Sequence, residues 1–300
     1  MNLNGTYIDD TFAEAFRMQY ARLVITAHDQ YWLEAAIREF TGYSASVIAC
    51  DAECGLENWL DPQHTPDGRF GATVLVFGFD QERLAKAVAN RVGQCVMTCP
   101  STAVFDGLSD ATTRLPLGKH LRFFGDGFQK SKLVGSDRYW RIPVMDGEFM
   151  VVENVGMAPG VAGGNFILQS CDQEQALSAA RLAVEAIEEL AGVITPFPGG
   201  VARSGSKVGS RYPALVASTA DAFCPTLRGR VTSRLHEEAN CAYEVVIDGV
   251  DEQAVHDAMH RGMLEASVSD VVAISAGNYG GKLGKFHFHL RSVLGDPRDA

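Results

Sequence analysis

The chain has 300 residues, 46 % of them hydrophobic and 21 % charged, the composition of a globular protein with a sizeable core rather than a disordered one. Its net charge of −11 makes an acidic surface that repels phosphate backbones, so nucleic acid is not an expected partner. The opening MNLNGTYIDDTFAEAF lacks a basic segment followed by an apolar run, and no stretch reaches the ~18 apolar residues of a membrane span, so the expected compartment is the cytoplasm.

In chain order, Ala21 to Ala27 (ARLVITA) reads as a strand. A helix is predicted from Asp29-Gln30, burying Leu33, Ala36, Ile37 and Phe40. Ser46 to Cys50 is a strand candidate. Val76-Phe77-Gly78 ends a further strand, with Asp80 as a helix cap ahead of Arg83 to Val92. A boundary is expected near 145 to 160, where Gly147, Gly156, Pro159, Gly160, Gly163 and Gly164 interrupt regular structure. The second half opens with a strand at Phe166 to Gln169. Ser170-Cys171-Asp172-Gln173 then makes a capping-box pattern, with Ser170 as cap, for a helix to about Leu190. Strands are expected at Val271 to Ser275 and Phe286 to Leu290.

An internal repeat organises these elements. The segment from Val76 recurs from Ile247, 171 residues later, as a strand, an Asp-capped turn and a helix. Leu84, Val88 and Val92 fall on Val255, Met259 and Met263, one helical stripe in each copy. Asp29-Gln30 and Asp172-Gln173 also look equivalent. Both halves therefore read as β-α-β-β-α-β, an α+β fold of two ferredoxin-like lobes, 1–148 and 149–300.

Glycine-rich segments concentrate in the second half: Gly156 to Asn165, Pro196 to Gly200, Ser204 to Lys207 and Ser275 to Lys285. Glycine lets a backbone approach a ligand closely, although tight turns give the same pattern. None is a Walker loop, and no GxGxxG opens a helix after a strand. Seven scattered cysteines read as reduced thiols, and the Cys50–Cys54 and Cys95–Cys99 spacings are too wide for a zinc knuckle. His287 and His289 share one strand face, as metal-binding pairs can, but Phe286, Phe288 and Leu290 alternate with them, so an exposed polar face explains the pattern better. No Gly-x-Ser-x-Gly elbow occurs, and neither Cys99 nor Ser206 has a histidine close in sequence.

Glu244 is the most informative single residue. It lies in the apolar run Cys241-Ala242-Tyr243-Glu244-Val245-Val246-Ile247, and its repeat partner is Thr73, so the architecture does not require a carboxylate there. Desolvated among apolar neighbours, a carboxyl group keeps its proton and can donate a hydrogen bond to an oxyanion. A solvent-facing strand position is the plainer alternative, because strands alternate faces.

Several longer motifs run through the chain: DDTFAEAF (Asp9 to Phe16), TPDGR (Thr65 to Arg69), GQCV (Gly93 to Val96) and TAVF (Thr102 to Phe105). AGGNF (Ala162 to Phe166), ITPFPGG (Ile194 to Gly200), SGSK (Ser204 to Lys207) and ISAGNYGGKLGK (Ile274 to Lys285) follow. With these motifs, in order over essentially its whole length, the sequence resembles the formylmethanofuran:tetrahydromethanopterin formyltransferases of one-carbon metabolism. The resemblance implies two ferredoxin-like lobes and a homo-oligomer, dimer or tetramer, holding methanofuran in a cleft between subunits. It implies no metal or prosthetic group, with methanofuran and tetrahydromethanopterin acting as substrates. It places the key acid on Glu244, and the matching glycine-rich motifs nominate Asn165, Ser206, Lys207, Asn278, Tyr279 and Lys282 for substrate positioning. In methylotrophic bacteria such an enzyme is usually one subunit of a formyltransferase/hydrolase complex. The tail from Leu294 to Ala300 goes beyond the family's usual end and has no assigned role.

Overall fold

A computed structural model describes residues 1–268 and 270–295, so most of the C-terminal tail lies outside the described residues. The fold is mixed α+β, with extensive sheet and few helices. The chain forms two compact units: Met18–Gly160, and Met1–Arg17 with Val161–Ala300. The division falls inside the strand Asn154–Ser170, and the first 17 residues join the C-terminal unit.

In the Met18–Gly160 unit, strand Phe12–Ala27 supplies the central part from Met18 onward. Phe70–Gly78 pairs with it antiparallel, Gln19 opposite Gly78 and Ala27 opposite Phe70. Glu53–Leu60 adds outside Phe70–Gly78, and Ala103–Asp106 adds on the other side of the central strand, both antiparallel. Helix Gln30–Thr41 buries Leu33, Ala36, Ile37 and Phe40, as its periodicity requires. Helix Gln81–Arg91 buries Leu84 and Val88, and Val92 completes that stripe just beyond it. The core between helices and sheet gathers Leu23, Ile25, Val74, Val76, Val104 and Ile142.

The other unit repeats this pairing. Asn154–Ser170 lies between Cys241–Gly249 and Val271–Ser275, antiparallel to both. The short strands Val193–Ile194 and Val201–Ala202 pair with the far side of Cys241–Gly249. Helices Gln173–Glu188 and Glu252–Ala266 pack on one face, where Phe166, Leu168, Val245, Ile247, Val255 and Met259 are buried. All four long helices are capped by aspartate: Asp29, Asp80, Asp172 and Asp251 each accept from the backbone N–H three residues on.

Three local expectations are corrected. Asp172, not Ser170, caps its helix; the Ser170 hydroxyl instead accepts from Asp172 N and donates to the Asp270 carbonyl. Residues 46–50 form turns rather than a strand, which begins at Glu53. Their pattern mimics a strand, but the Glu53 carboxylate accepts from Val47 N and folds the segment back.

The glycines from 147 to 164 do not break the chain, because Gly156 and Gly164 sit inside the 17-residue strand. There they permit close packing. Gly156 donates to the Asp106 carboxylate at 2.9 Å, and a Cβ on it would overlap the Leu108 carbonyl oxygen. Gly156→Ala is therefore expected to destabilise the protein by about 1–3 kcal/mol, seen as a lowered thermal midpoint. An unchanged midpoint would show that the 108–111 turn yields freely.

Candidate functional site

Strand Cys241–Gly249 presents two faces. Tyr243, Val245 and Ile247 point into the core, whereas Glu244 and Val246 lie on the face away from it. Glu244 stands opposite Ile167 on one side and Ala202 on the other. This is the alternate face foreseen as the plainer reading, and there Glu244 is half-buried rather than fully exposed. Gly277 and Gly205 bring backbone against the carboxyl. A Cβ on Gly277 would lie 3.2 Å from Glu244 Oε1, and one on Gly205 would lie 3.8 Å from Oε2. Burial pushes the Glu244 carboxyl up to about 7, so at neutral pH it holds its proton for much of the time. A small pocket of about 30 Å³ opens beside it, walled by Ile167, Ala202, Gly205, Ala220 and Phe223.

Two further nominated residues gather at this acid. The Tyr279 phenol is hydrogen-bonded to Ser206. Burial raises the Tyr279 pKa, the Ser206 bond pulls it back, and negative charge on Glu244 or Glu14 raises it again, so the phenol stays a protonated donor. Its ring packs against Phe16 at 6.0 Å between centroids.

Asn165 is close but differently employed. Its Nδ2 donates to the Gly163 and Gly277 carbonyls at 3.0 and 3.1 Å, and its Oδ1 accepts from Gly277 N at 2.6 Å. It fixes the Gly277 peptide against the acid. Asn278 likewise donates inward, to Thr11 Oγ1 and the Phe12 carbonyl. Lys207 is turned to Asp221 in an ion pair, and Lys282 is exposed on the glycine-rich loop.

Sequence reasoning missed Glu14 and Arg234. Glu14 is 1 % exposed and accepts four backbone N–H bonds from the glycine-rich loop. Its only local signal was an acid set between alanines in Phe12-Ala13-Glu14-Ala15-Phe16. Arg234 stacks over Phe223 and donates to Ser275 Oγ and the Ala276 carbonyl, tying the 203–240 insertion to the strand that carries the loop.

The remaining candidates give no rival centre of equal chemistry. Cys99 borders a cleft of about 550 Å³ in the Met18–Gly160 unit, with His28, Arg69, Ser101 and Asp146. Burial raises its thiol pKa, which disfavours the nucleophilic thiolate. Cys54 is pushed up to about 12 by burial. His287 and His289 are exposed. Among the described residues, no group of three or more His, Cys, Asp or Glu is placed to hold a metal. No helix of the described residues is long and apolar enough to cross a membrane.

The class that this fold and site define is that of the formyltransferases. The chain is similar to the formyltransferase structure from Methanosarcina barkeri at 43 % identity, with a TM-score of 0.92 over 98 % of this chain and 100 % of that one. It is also similar, at 43 % identity and a TM-score of 0.95 over 99 % of each chain, to a chain of the formyltransferase/hydrolase complex of Methylorubrum extorquens, solved with methylofuran.

The chain belongs to the formylmethanofuran–tetrahydromethanopterin formyltransferase family, whose model matches residues 1–144, with its proximal-lobe model matching 147–293. Relatives of that name from Methylobacillus flagellatus and Methanocaldococcus jannaschii are 50 % and 48 % identical, each match spanning 98 % of this chain and all of the relative. The chain is accordingly an enzyme of one-carbon metabolism that uses methanofuran and tetrahydromethanopterin.

Proposed function

We propose that the formyl group passes directly between the two coenzymes in a ternary complex, with neutral Glu244 stabilising the oxyanion. N5 of tetrahydromethanopterin attacks the formyl carbon of N-formylmethanofuran. The N5–carbon bond forms, the carbon–nitrogen bond to methanofuran breaks, and a proton passes from N5 to the departing amine. N5 is already a neutral nucleophile, so no covalent enzyme intermediate, metal or prosthetic group is needed. The observation that carries the reading is a carboxyl raised to about 7 and walled by the backbone of two glycines. A neutral acid in such a setting donates to developing negative charge without first being reorganised.

Around this acid, we read Ser206 and Tyr279, hydrogen-bonded to each other, as the residues that meet substrate. Asn165 and Asn278 shape the loop that faces it. We read Lys282, exposed on the glycine-rich loop, and Lys207, paired with Asp221, as positive charge for the acidic parts of the coenzymes. We further read both units as ferredoxin-like lobes descended from one duplicated ancestor, a reading supported by their matching strand orders. The chain works in the cytoplasm as a homo-oligomer, dimer or tetramer, that holds methanofuran between subunits. Its likeness to a chain of a formyltransferase/hydrolase complex supports assembly with the other subunits of such a complex.

The pH dependence of transfer tests the role of Glu244. The neutral carboxyl is the active form, so the rate should hold below pH 7 and fall as pH rises through about 7. Glu244→Gln cannot ionise and should lose that limb. A wild-type rate that climbs through the same range would instead make Glu244 a base.

A further inference from the structure

We propose that Glu14 is a positioning residue for formyl transfer: its carboxylate holds the Tyr279–Gly284 loop in the conformation that presents Tyr279 to the reacting centre. The inference rests on the reading that this centre lies at Glu244.

Four amides converge on Glu14. Tyr279 N and Gly281 N donate to Oε2 at 2.6 and 2.9 Å, and Leu283 N and Gly284 N donate to Oε1, both at 2.6 Å. No helix or strand organises these amides, since residues 276–285 have no regular structure and Gly280 and Gly281 have positive φ. Without the carboxylate, four backbone donors would face one another with nothing between them. Burial alone would push Glu14 up, yet the four donors outweigh it and hold the carboxyl below its ordinary value. A buried charge satisfied so fully is an anchor for the loop rather than a proton donor.

The loop is continuous with the site. Gly277 abuts the Glu244 carboxyl, and Tyr279, whose amide is one of the four donors, carries the phenol bonded to Ser206. Glu14 does not line the pocket beside Glu244, and its carboxylate bonds go to the loop amides, so its influence passes through the backbone it holds.

Glu14→Gln tests this in the full chain. The amide keeps the shape but replaces one acceptor oxygen with an NH2 group, setting donor against two loop amides. Turnover should fall by roughly 10- to 100-fold, with KM changed less, because misplacement by about 1 Å is enough to cost that much. Hydrogen exchange should quicken at Tyr279, Gly281, Leu283 and Gly284, while helices Gln173–Glu188 and Glu252–Ala266 stay protected. Glu14→Asp keeps the charge on a shorter stem and should fall between wild type and Gln; it carries the test if Gln does not fold. Loop amides that exchange quickly with wild-type turnover would overturn the proposal. So would turnover that falls only in step with a general loss of protection. Glu244→Ala, assayed alongside, separates the two readings. If it is fully active, the placing of the centre fails by itself, while the Glu14 variants still report whether the loop governs turnover.

Discussion

Replacing Glu244 with alanine is expected to lower kcat for formyl transfer by about 10²–10³, the loss of about 2.7–4 kcal/mol typical of a removed oxyanion donor. The change should appear in kcat more than in KM, because the hydrogen bond strengthens only as the carbonyl oxygen gains charge. Three features support so large an effect. The carboxyl is raised to about 7 by burial, so its neutral form is abundant near neutral pH. Its place in the strand is fixed by ladder partners on both sides, Ile167 and Ala202, so it does not have to be recruited. Backbone at Gly277 and Gly205 limits the water around it. Glu244→Gln retains an N–H donor and should keep part of the rate, whereas Ala leaves a gap that water fills poorly. Steady-state assay of purified wild type, Gln and Ala with N-formylmethanofuran and tetrahydromethanopterin decides the matter. Full activity in the alanine variant would remove Glu244 from the chemistry and leave family membership untouched.

What the sequence revealed, and what it hid, follows from the range over which each interaction acts. The helices were legible because a cap and a buried stripe are written within a few residues. Asp29, Asp80, Asp172 and Asp251 all cap, and the Leu84–Val88–Val92 and Val255–Met259–Met263 stripes are buried. Ser170 misled because a second candidate stood two residues on, and competition between caps is settled by the chain's path, not by the motif. The glycines of Asn154–Ser170 misled more seriously. Read locally, glycine means a turn, but here Gly156 answers to Leu108 and Gly164 to Val255.

Glu244 was legible as an anomaly against its repeat partner Thr73. The polar loop residues were legible only as a group. Nothing local could say that Asn165 and Asn278 spend their side chains holding backbone while Tyr279 and Ser206 face the acid. Glu14 was hidden most deeply, because its four donors lie 265 to 270 residues away in the chain.

The same burial that makes Glu244 useful should make it a burden above neutral pH, and Glu244→Gln is expected to stabilise the protein there. The folded state holds the Glu244 proton more tightly than the unfolded chain, since the carboxyl titrates at about 7 rather than the ordinary 4.5. Stability linked to this group is therefore intact below pH 4.5, falls as pH rises from 4.5 to 7, and levels off above that range. The difference corresponds to about 3 kcal/mol at most, at about 1.36 kcal/mol for each tenfold change in proton affinity. Glutamine carries no ionisation, so its thermal midpoint should exceed that of wild type by several degrees at about pH 8, and the two midpoints should converge near about pH 4. A glutamine variant that is less stable than wild type at the alkaline end would mean that the ionised carboxylate finds a stabilising partner on folding. The predicted outcome places an activity loss and a stability gain in one substitution, as expected where a site is kept strained for function. It also separates the two roles of the group experimentally: the rate reports what the proton does in the transition state, and the thermal midpoint reports what its loss costs the fold.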